Sequence, residues 1–304
     1  MQDSTRPFHS RIFLSPDDNR FRSGWRIILQ GSLLLFLLFF ASIPYVILTF
    51  IGVELKNFDF MISIGISLAA ITISIAISRK ILDHRPFLNL GIKLNKYTHL
   101  DILVGFFIPA LMMGLIFLVE MSFGWLKINN LAWNSTSIQA IMIGLGSNFF
   151  FYIAIAWQEE ILSRGYHLQN LIEGLPVWGA VFASSLIFSA LHILNPYASW
   201  RSLIGITLAG IFLCYSYLLT RQLWLPIGLH LGWNFFQGPI FGFPVSGTES
   251  FVLINQAVSG PEIITGGLFG PEAGIILLPS LLIGVILVTI YSKYRNKRKL
   301  ISRT

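Results

Sequence analysis

Charge is what this chain lacks most. Only 12% of its 304 residues are Asp, Glu, Lys or Arg, about half the ~25% of a typical soluble domain. With 54% hydrophobic residues and a mean hydropathy of +0.71, such a chain cannot turn its whole surface to water, which excludes an ordinary soluble enzyme. Cysteine is almost missing as well. Cys214 stands alone, so no intrachain disulfide can form, and its apolar setting reads as core packing. No Ala-x-Ala site follows the first apolar block. That block is also longer than the roughly 7–15 residues of a signal h-region, so a cleavable signal peptide is not expected. No histidine is followed by Glu, and the H-E-x-x-H zinc arrangement is therefore absent.

The apolar residues that are present fall in blocks of membrane-crossing length rather than in alternating strands. The fold class expected is all-α, a polytopic transmembrane helix bundle of about eight spans. These read as Trp25–Ile51, Asp59–Ser78, Leu100–Met121, Ile138–Ser163, Val177–Leu194, Ser202–Thr220, Leu223–Phe241 and Ala273–Tyr291. The domain organisation is a cytoplasmic tail over 1–24, a membrane domain over 25–291 with its motif-bearing core at about 138–242, and a basic cytoplasmic tail over 292–304.

The net charge of +7 sits at the ends of these blocks, where anionic lipid head groups attract it, so nucleic acid is not an expected partner. With both termini cytoplasmic, 18 of the 21 Lys and Arg fall on the inner side, including Arg6, Arg11, Arg79, Arg85, Arg164 and Arg221, and only Lys56, Lys127 and Arg201 fall outside. Trp25, Trp178 and Trp224 mark inner boundaries, and Trp125, Trp133 and Trp200 outer ones. The outer segment from about Gly242 to Glu272 carries Glu249, Glu262 and Glu272 without Lys or Arg, and repeats Gly260-Pro261-Glu262 as Gly270-Pro271-Glu272. Its Gly and Pro predict turns. An ordered loop is expected, with a lid over a membrane site as the alternative.

Charged side chains within a span cost about 2.5–3.5 kcal/mol each on insertion scales, and persist where pairing or function offsets that cost. The exceptional cluster is Gln158-Glu159-Glu160-Ile161-Leu162-Ser163-Arg164. Neighbouring residues lie about 100° apart on a helix, so the two carboxylates cannot share a face. Glu160 and Arg164 are four apart and stack in the favourable order. Glu159 is left without a local cation, and such a carboxylate in low dielectric suits a general base.

Two later spans add histidines. His192 follows Phe188 by four residues, and His230 precedes Asn234 by four, with Trp233 alongside. Either histidine alone reads as an inert hydrogen-bonded residue. Together with an unpaired Glu and a facing Asn in an apolar bundle, they supply a base (Glu159), a partner to position water (His192) and oxyanion donors (His230, Asn234). His9, His84, His99 and His167 read as tail or loop residues without a role.

The patterns Glu159-Glu160-x-x-x-Arg164, Phe188-x-x-x-His192 and His230-x-x-x-Asn234 resemble, in order, the three signatures of the CPBP family, which contains the CAAX prenyl endopeptidases, also called the Abi or Ras-converting-enzyme type. The resemblance covers about Asn148 to Gly242, and Arg164-Gly165-Tyr166-x-Leu168-Gln169 is similar to bacterial members. It implies peptide-bond hydrolysis within the membrane, here a multi-pass protein of a bacterial plasma membrane acting on a membrane-associated protein or peptide. By matching position, Glu159 would be the catalytic glutamate, His192 its helper, His230 and Asn234 the oxyanion donors, and Glu160 and Arg164 the supporting pair.

No cofactor is favoured, because a His–Asn oxyanion hole accounts for Asn234 better than metal does. The alternative is Zn2+ held by Glu159, His192 and His230. Competing functional classes are a non-catalytic scaffold or regulator, for example in bacteriocin self-immunity, a proton-coupled transporter, and a serine enzyme using Ser147. Straight helices would leave Glu159 near the inner boundary and His192 near the outer one. The segment Tyr166–Gly179 must therefore dip into the membrane, or a helix must tilt or break, for the two to meet.

Overall fold

The computed structural model describes residues 12–15, 20–55 and 58–301; Arg6, His9, Arg11, Lys56 and Arg303 lie outside them. Backbone amides cannot go unpaired in hydrocarbon, so the apolar blocks fold as helices. They are α1 (Ser23–Phe50), α2 (Asp59–Ile81), α3 (Thr98–Ser122), α4 (Ile138–Gly174), α5 (Val177–Ala190), α6 (Trp200–Thr220), α7 (Trp224–Phe235) and α8 (Leu277–Ile301). Local sequence sets several ends. Asp59 sits in the first turn of α2 and Arg79 and Lys80 in its last, matching the helix dipole. Ser199 and Ser202 cap α6 reciprocally, each hydroxyl accepting the other's backbone N–H at 3.3 and 2.8 Å.

Among the described residues six helices, α1 to α4, α6 and α8, are long and apolar enough to cross a membrane. The protein is a multi-pass helical membrane protein. The fifth and seventh of the eight expected spans are the short ones. At 14 residues, α5 reaches about 21 Å against a hydrocarbon core of ~30 Å. Helix α7 has 12 residues, and every side chain from Leu225 to Asn234 is buried. Its apolarity serves contact with other helices rather than with lipid, which hydropathy alone cannot distinguish.

Other boundaries also move. Helix α4 continues past Ser163 to Gly174, and the basic stretch read as a tail over 292–304 is helical as far as Ile301. The all-α expectation is interrupted by a small antiparallel sheet of β1 (Leu126–Leu131) and β2 (Ile254–Val258), with Leu126 opposite Val258 and Leu131 opposite Ile254. The sheet ties the end of α3 to the segment expected as a loop.

Helix α7 is held closest by α3. A Cβ on Gly105 would lie 2.6 Å from the Leu225 carbonyl oxygen, one on Gly228 2.6 Å from that of Ile102, and one on Gly232 2.2 Å from that of Phe106. Three glycines therefore let the two backbones meet. Gly232→Ala should push them apart and cost at least the upper end of the ~1–3 kcal/mol seen for overpacking. The check is the monodisperse fraction and thermal midpoint in detergent; wild-type values for both would contradict this packing.

Ion pairs fix the remaining helices. Asp101 on α3 is fully buried and receives Arg295 of α8 through Nε at 2.9 Å and Nη2 at 3.0 Å, with the Tyr291 hydroxyl also donating to it. Asp83 accepts from Arg26 at 3.1 Å and from Arg79 at 2.8 Å, while Glu173 binds Arg26 at 2.6 Å and also meets Arg20 and Arg85. Several arginines counted as membrane-surface charge are thus cross-links between α1, α2 and α4.

Candidate active site

Glu159 and Glu160 end the regular part of α4, and the chain continues as a π-helical stretch, Ile161–His167, before the last α-helical residues Leu168–Gly174. Insertions of this kind recur at functional sites because they rotate side chains out of the ordinary helical register. All seven π-helical residues are buried. This corrects the reading of His167 as a surface residue, and it encloses the Arg164 side chain within the protein.

Glu160 is wholly buried. Its Oε1 accepts from Arg164 Nη1 and from His230 Nδ1, each at 2.8 Å. Arg164 also donates through Nη2 to the Gly210 carbonyl at 3.2 Å, and its guanidinium lies 4.3 Å from the centre of the Phe188 ring. One residue back and about 100° round the helix, Glu159 points into a cavity and makes no hydrogen bond with another described residue. The Glu159 Oε2 atom stands 3.8 Å from His192 Nε2 and 3.7 Å from His230 Nε2.

Both imidazoles are oriented through Nδ1. An ionised, arginine-paired carboxylate and a carbonyl can only accept, so His230 donates to Glu160, and His192 donates to the Phe188 carbonyl at 2.9 Å. The Phe188 ring meets both imidazoles edge to face, its centre 4.9 Å from that of His192 and 6.2 Å from that of His230. In the neutral imidazoles each Nε2 is then an acceptor turned toward Glu159. Three acceptors converging on one point call for a donor or a cation among them.

The apparent conflict in depth disappears once α4 is followed to its end. Glu159 lies fifteen residues before Gly174, and His192 lies fifteen residues after Val177. The turn at Leu175–Pro176 reverses the chain, so both reach about the same level, roughly 22 Å along their helices. The longer α4, rather than a dipping loop, brings them together.

Asn234 sits one turn beyond His230 on α7, buried, and its amide has no hydrogen-bond partner among the described residues. It lines, with Glu159, His192 and His230, a cavity of about 250 Å³ whose other walls include Phe151, Ile155, Phe212, Leu213 and Leu229. The structure thus gathers all seven residues singled out in the sequence. By contrast, Ser147 is exposed on α4, and its hydroxyl donates to the Ile143 carbonyl of its own helix at 2.6 Å, away from this site.

Sequence reasoning missed the far wall. Asn195, Val245, Ser246, Thr248 and Glu272 also line the cavity, so the outer segment roofs the site. Glu272 is buried and accepts from Trp233 Nε1 at 3.1 Å, from Ser246 N at 2.8 Å and from the Ser246 hydroxyl at 3.0 Å. Burial pushes its carboxyl above the usual range, while the Ser246 and Trp233 donors pull it down. The Gly-Pro-Glu repeat pointed at this segment but could not separate its copies: Glu262 is exposed and meets Arg201 at 3.3 Å.

Glu159 and the two Nε2 atoms are donor types that zinc accepts, with each imidazole anchored through Nδ1 as zinc ligands are. Their separations are a few tenths of an ångström wider than the edge of a tetrahedron with bonds of about 2.0–2.1 Å. No group of three or more His, Cys, Asp or Glu among the described residues is spaced to hold a metal ion as it stands.

Comparison with known families bears on the same stretch. Residues 143–236 match the family described as Type II CAAX prenyl endopeptidase Rce1-like. Over this stretch, about a third of the chain, the match supports a CPBP/CAAX protease family. The matched segment contains every one of the seven residues, from Glu159 to Asn234, while the roof and Glu272 lie beyond it. No curated protein and no solved structure matches the chain. The roof therefore has to be understood from its own contacts.

Proposed function

We propose that the protein is an intramembrane endopeptidase in which Glu159 activates water against a peptide bond of a membrane-associated protein or peptide. The observation that carries this reading is the pairing scheme. Glu160 is spent on Arg164 and His230, whereas Glu159 keeps an unpaired carboxylate between two oriented imidazoles at the cavity.

In this mechanism Glu159 accepts a proton from a water that His192 helps to hold, and the resulting hydroxide adds to the scissile carbonyl carbon. The carbonyl π pair moves to oxygen, and that oxyanion is met by the Asn234 amide and by His230. A second proton on His230, attracted by both glutamates, turns its Nε2 into the donor this step needs. Glu159 then returns its proton to the amide nitrogen as the oxyanion pair re-forms the carbonyl and the carbon–nitrogen bond breaks, releasing a carboxylic acid and an amine. The apolar cavity walls suit apolar side chains on the substrate. The surplus of Lys and Arg supports an orientation with both termini on the cytoplasmic side.

Metal-independent catalysis is part of the proposal, because it gives Asn234 a task. Zn2+, if bound, would be held by Glu159, His192 and His230 and would supply Lewis-acid polarisation. Exhaustive chelation should leave turnover within about twofold of its starting value, against the orders of magnitude lost when a catalytic metal is stripped. Stoichiometric zinc recovered with active protein, or activity lost to chelator and restored by zinc, would overturn that part.

The test of the function compares membrane-proteome N-termini in cells expressing wild type or Glu159→Gln at equal levels. New termini confined to wild type are expected. Identical termini, together with a variant that still rescues a deletion phenotype, would leave a non-catalytic scaffold as the working reading.

A further inference from the structure

The residue with the most site-directed bonds outside the family-matched stretch is Glu272. Its backbone is fixed from behind: a Cβ on Gly205 of α6 would lie 1.7 Å from the Glu272 carbonyl oxygen, so that helix and this turn are in direct contact. Its carboxylate reaches across the cavity in two directions. One oxygen accepts from Trp233, the neighbour of Asn234 on α7, and the other takes both the backbone N–H and the hydroxyl of Ser246.

Ser246 is the tip of the roof. It is held at a φ of +47°, a left-handed conformation that non-glycine residues rarely adopt. Such a conformation persists where surrounding contacts over-determine it. Here they come from both sides. Glu272 takes its two donors, and the Ser246 carbonyl accepts from Asn195 Nδ2 at 3.1 Å. Asn195 belongs to the turn that follows His192, its own N–H bonded to the His192 carbonyl at 3.1 Å. Next to the tip, Gly247 has no room for a side chain against the Pro196 carbonyl, and its N–H bonds the Phe269 carbonyl at 2.9 Å.

We infer that Glu272 is a positioning residue of this site, the anchor of a latch in which Glu272, Ser246 and Asn195 fix the roof between the turn carrying His192 and the helix carrying Asn234. The inference rests on the endopeptidase reading for its consequence but not for its geometry. A carboxylate serves because it offers two acceptor oxygens and all its neighbours here are donors. An amide keeps a single acceptor oxygen and cannot satisfy Trp233 and Ser246 together. Opening the latch uncovers Val245, buried beside Ser246, and frees the two histidine- and asparagine-bearing elements from a common strut.

The test uses the full-length protein in detergent with Val245→Cys as reporter. The native Cys214 is fully buried, so the parent gives the background. The rate of modification by a polar thiol reagent is measured in four backgrounds: wild type, Glu272→Gln, Ser246→Ala and Glu262→Gln. Glu272→Gln should raise the rate at least about tenfold through local opening of the roof. Ser246→Ala, which removes one donor and no bulk, should raise it by a smaller factor. Glu262→Gln, the other copy of the repeat, should leave both rate and turnover unchanged.

Where turnover is measurable, Glu272→Gln should raise KM by more than it lowers kcat. An unchanged modification rate in folded Glu272→Gln and Ser246→Ala would overturn the latch. So would a lost kcat with an unopened roof, which would place Glu272 in the chemistry instead. If wild type itself shows no cleavage, the endopeptidase reading falls, and the modification rates still decide the latch. If Glu272→Gln does not fold, Ser246→Ala alone decides it, and an unchanged rate there overturns it.

Discussion

Glu159→Gln should lower turnover about 10²–10⁴-fold, the range that a positioned general base supplies, while leaving the thermal midpoint of the protein unchanged. The two halves of this prediction depend on each other. Gln has the same shape and cannot accept the proton. Glu159 makes no hydrogen bond with another described residue, so replacing it should cost no more than the ~0.5 kcal/mol of an ordinary peripheral substitution. Turnover is followed on a substrate identified from the new N-termini, and stability by thermal unfolding in the same detergent. A variant that is both inactive and unstable would show that Glu159 is structural. A stable variant with more than a tenth of wild-type activity would remove it from the role of base.

Arg164→Leu should behave in the opposite way and fail first as a folded protein. The guanidinium is fully buried, and it holds Glu160, the Gly210 carbonyl and the face of Phe188 together. Removing it leaves the Glu160 carboxylate buried without its cation, and breaking one side of such a pair costs about 3–5 kcal/mol. The double variant Glu160→Gln with Arg164→Leu should recover part of that loss, since no unpaired charge then remains. Arg164→Lys should not rescue fully, because an ammonium can neither fork between two acceptors nor stack on Phe188 in the same way. Thermal unfolding of the three variants is the measurement. A single variant within about 1 kcal/mol of wild type, well below that range, would mean that the buried pair carries little of the stability.

The contrast between these two neighbours of the motif is legible in the residue order. Adjacent positions on a helix diverge by about 100°, and residues four apart stack. That spacing alone separates a paired Glu160 from an unpaired Glu159. Phe188 with His192, and His230 with Asn234, are readable for the same reason, being one turn apart on single helices. Membrane residence is legible too, because scarce charge and long apolar blocks leave few other places for the chain to be.

What stays hidden depends on contacts between elements distant in sequence. Hydropathy cannot tell the buried α7 from a lipid-facing span, because a helix enclosed by other helices and one enclosed by lipid are equally apolar. Nor can it tell a surface arginine from Arg26, Arg79 or Arg295, whose partners Asp83 and Asp101 come from other helices or other turns. His167 reads as a surface residue because the π-helical continuation of α4 has no simple sequence signal.

The sequence by itself determined the class of protein, the family segment and the paired and unpaired roles within Glu159–Arg164, since these follow from composition and from spacing along one helix. Only the tertiary structure decided that α4 runs on to Gly174 and so sets Glu159 level with His192. It also decided that one of two identical Gly-Pro-Glu units closes over the cavity. Depth and closure are properties of how helices reverse and pack, and they are fixed where backbones approach closely at Gly205, Gly228 and Gly232, contacts whose partners lie far along the chain.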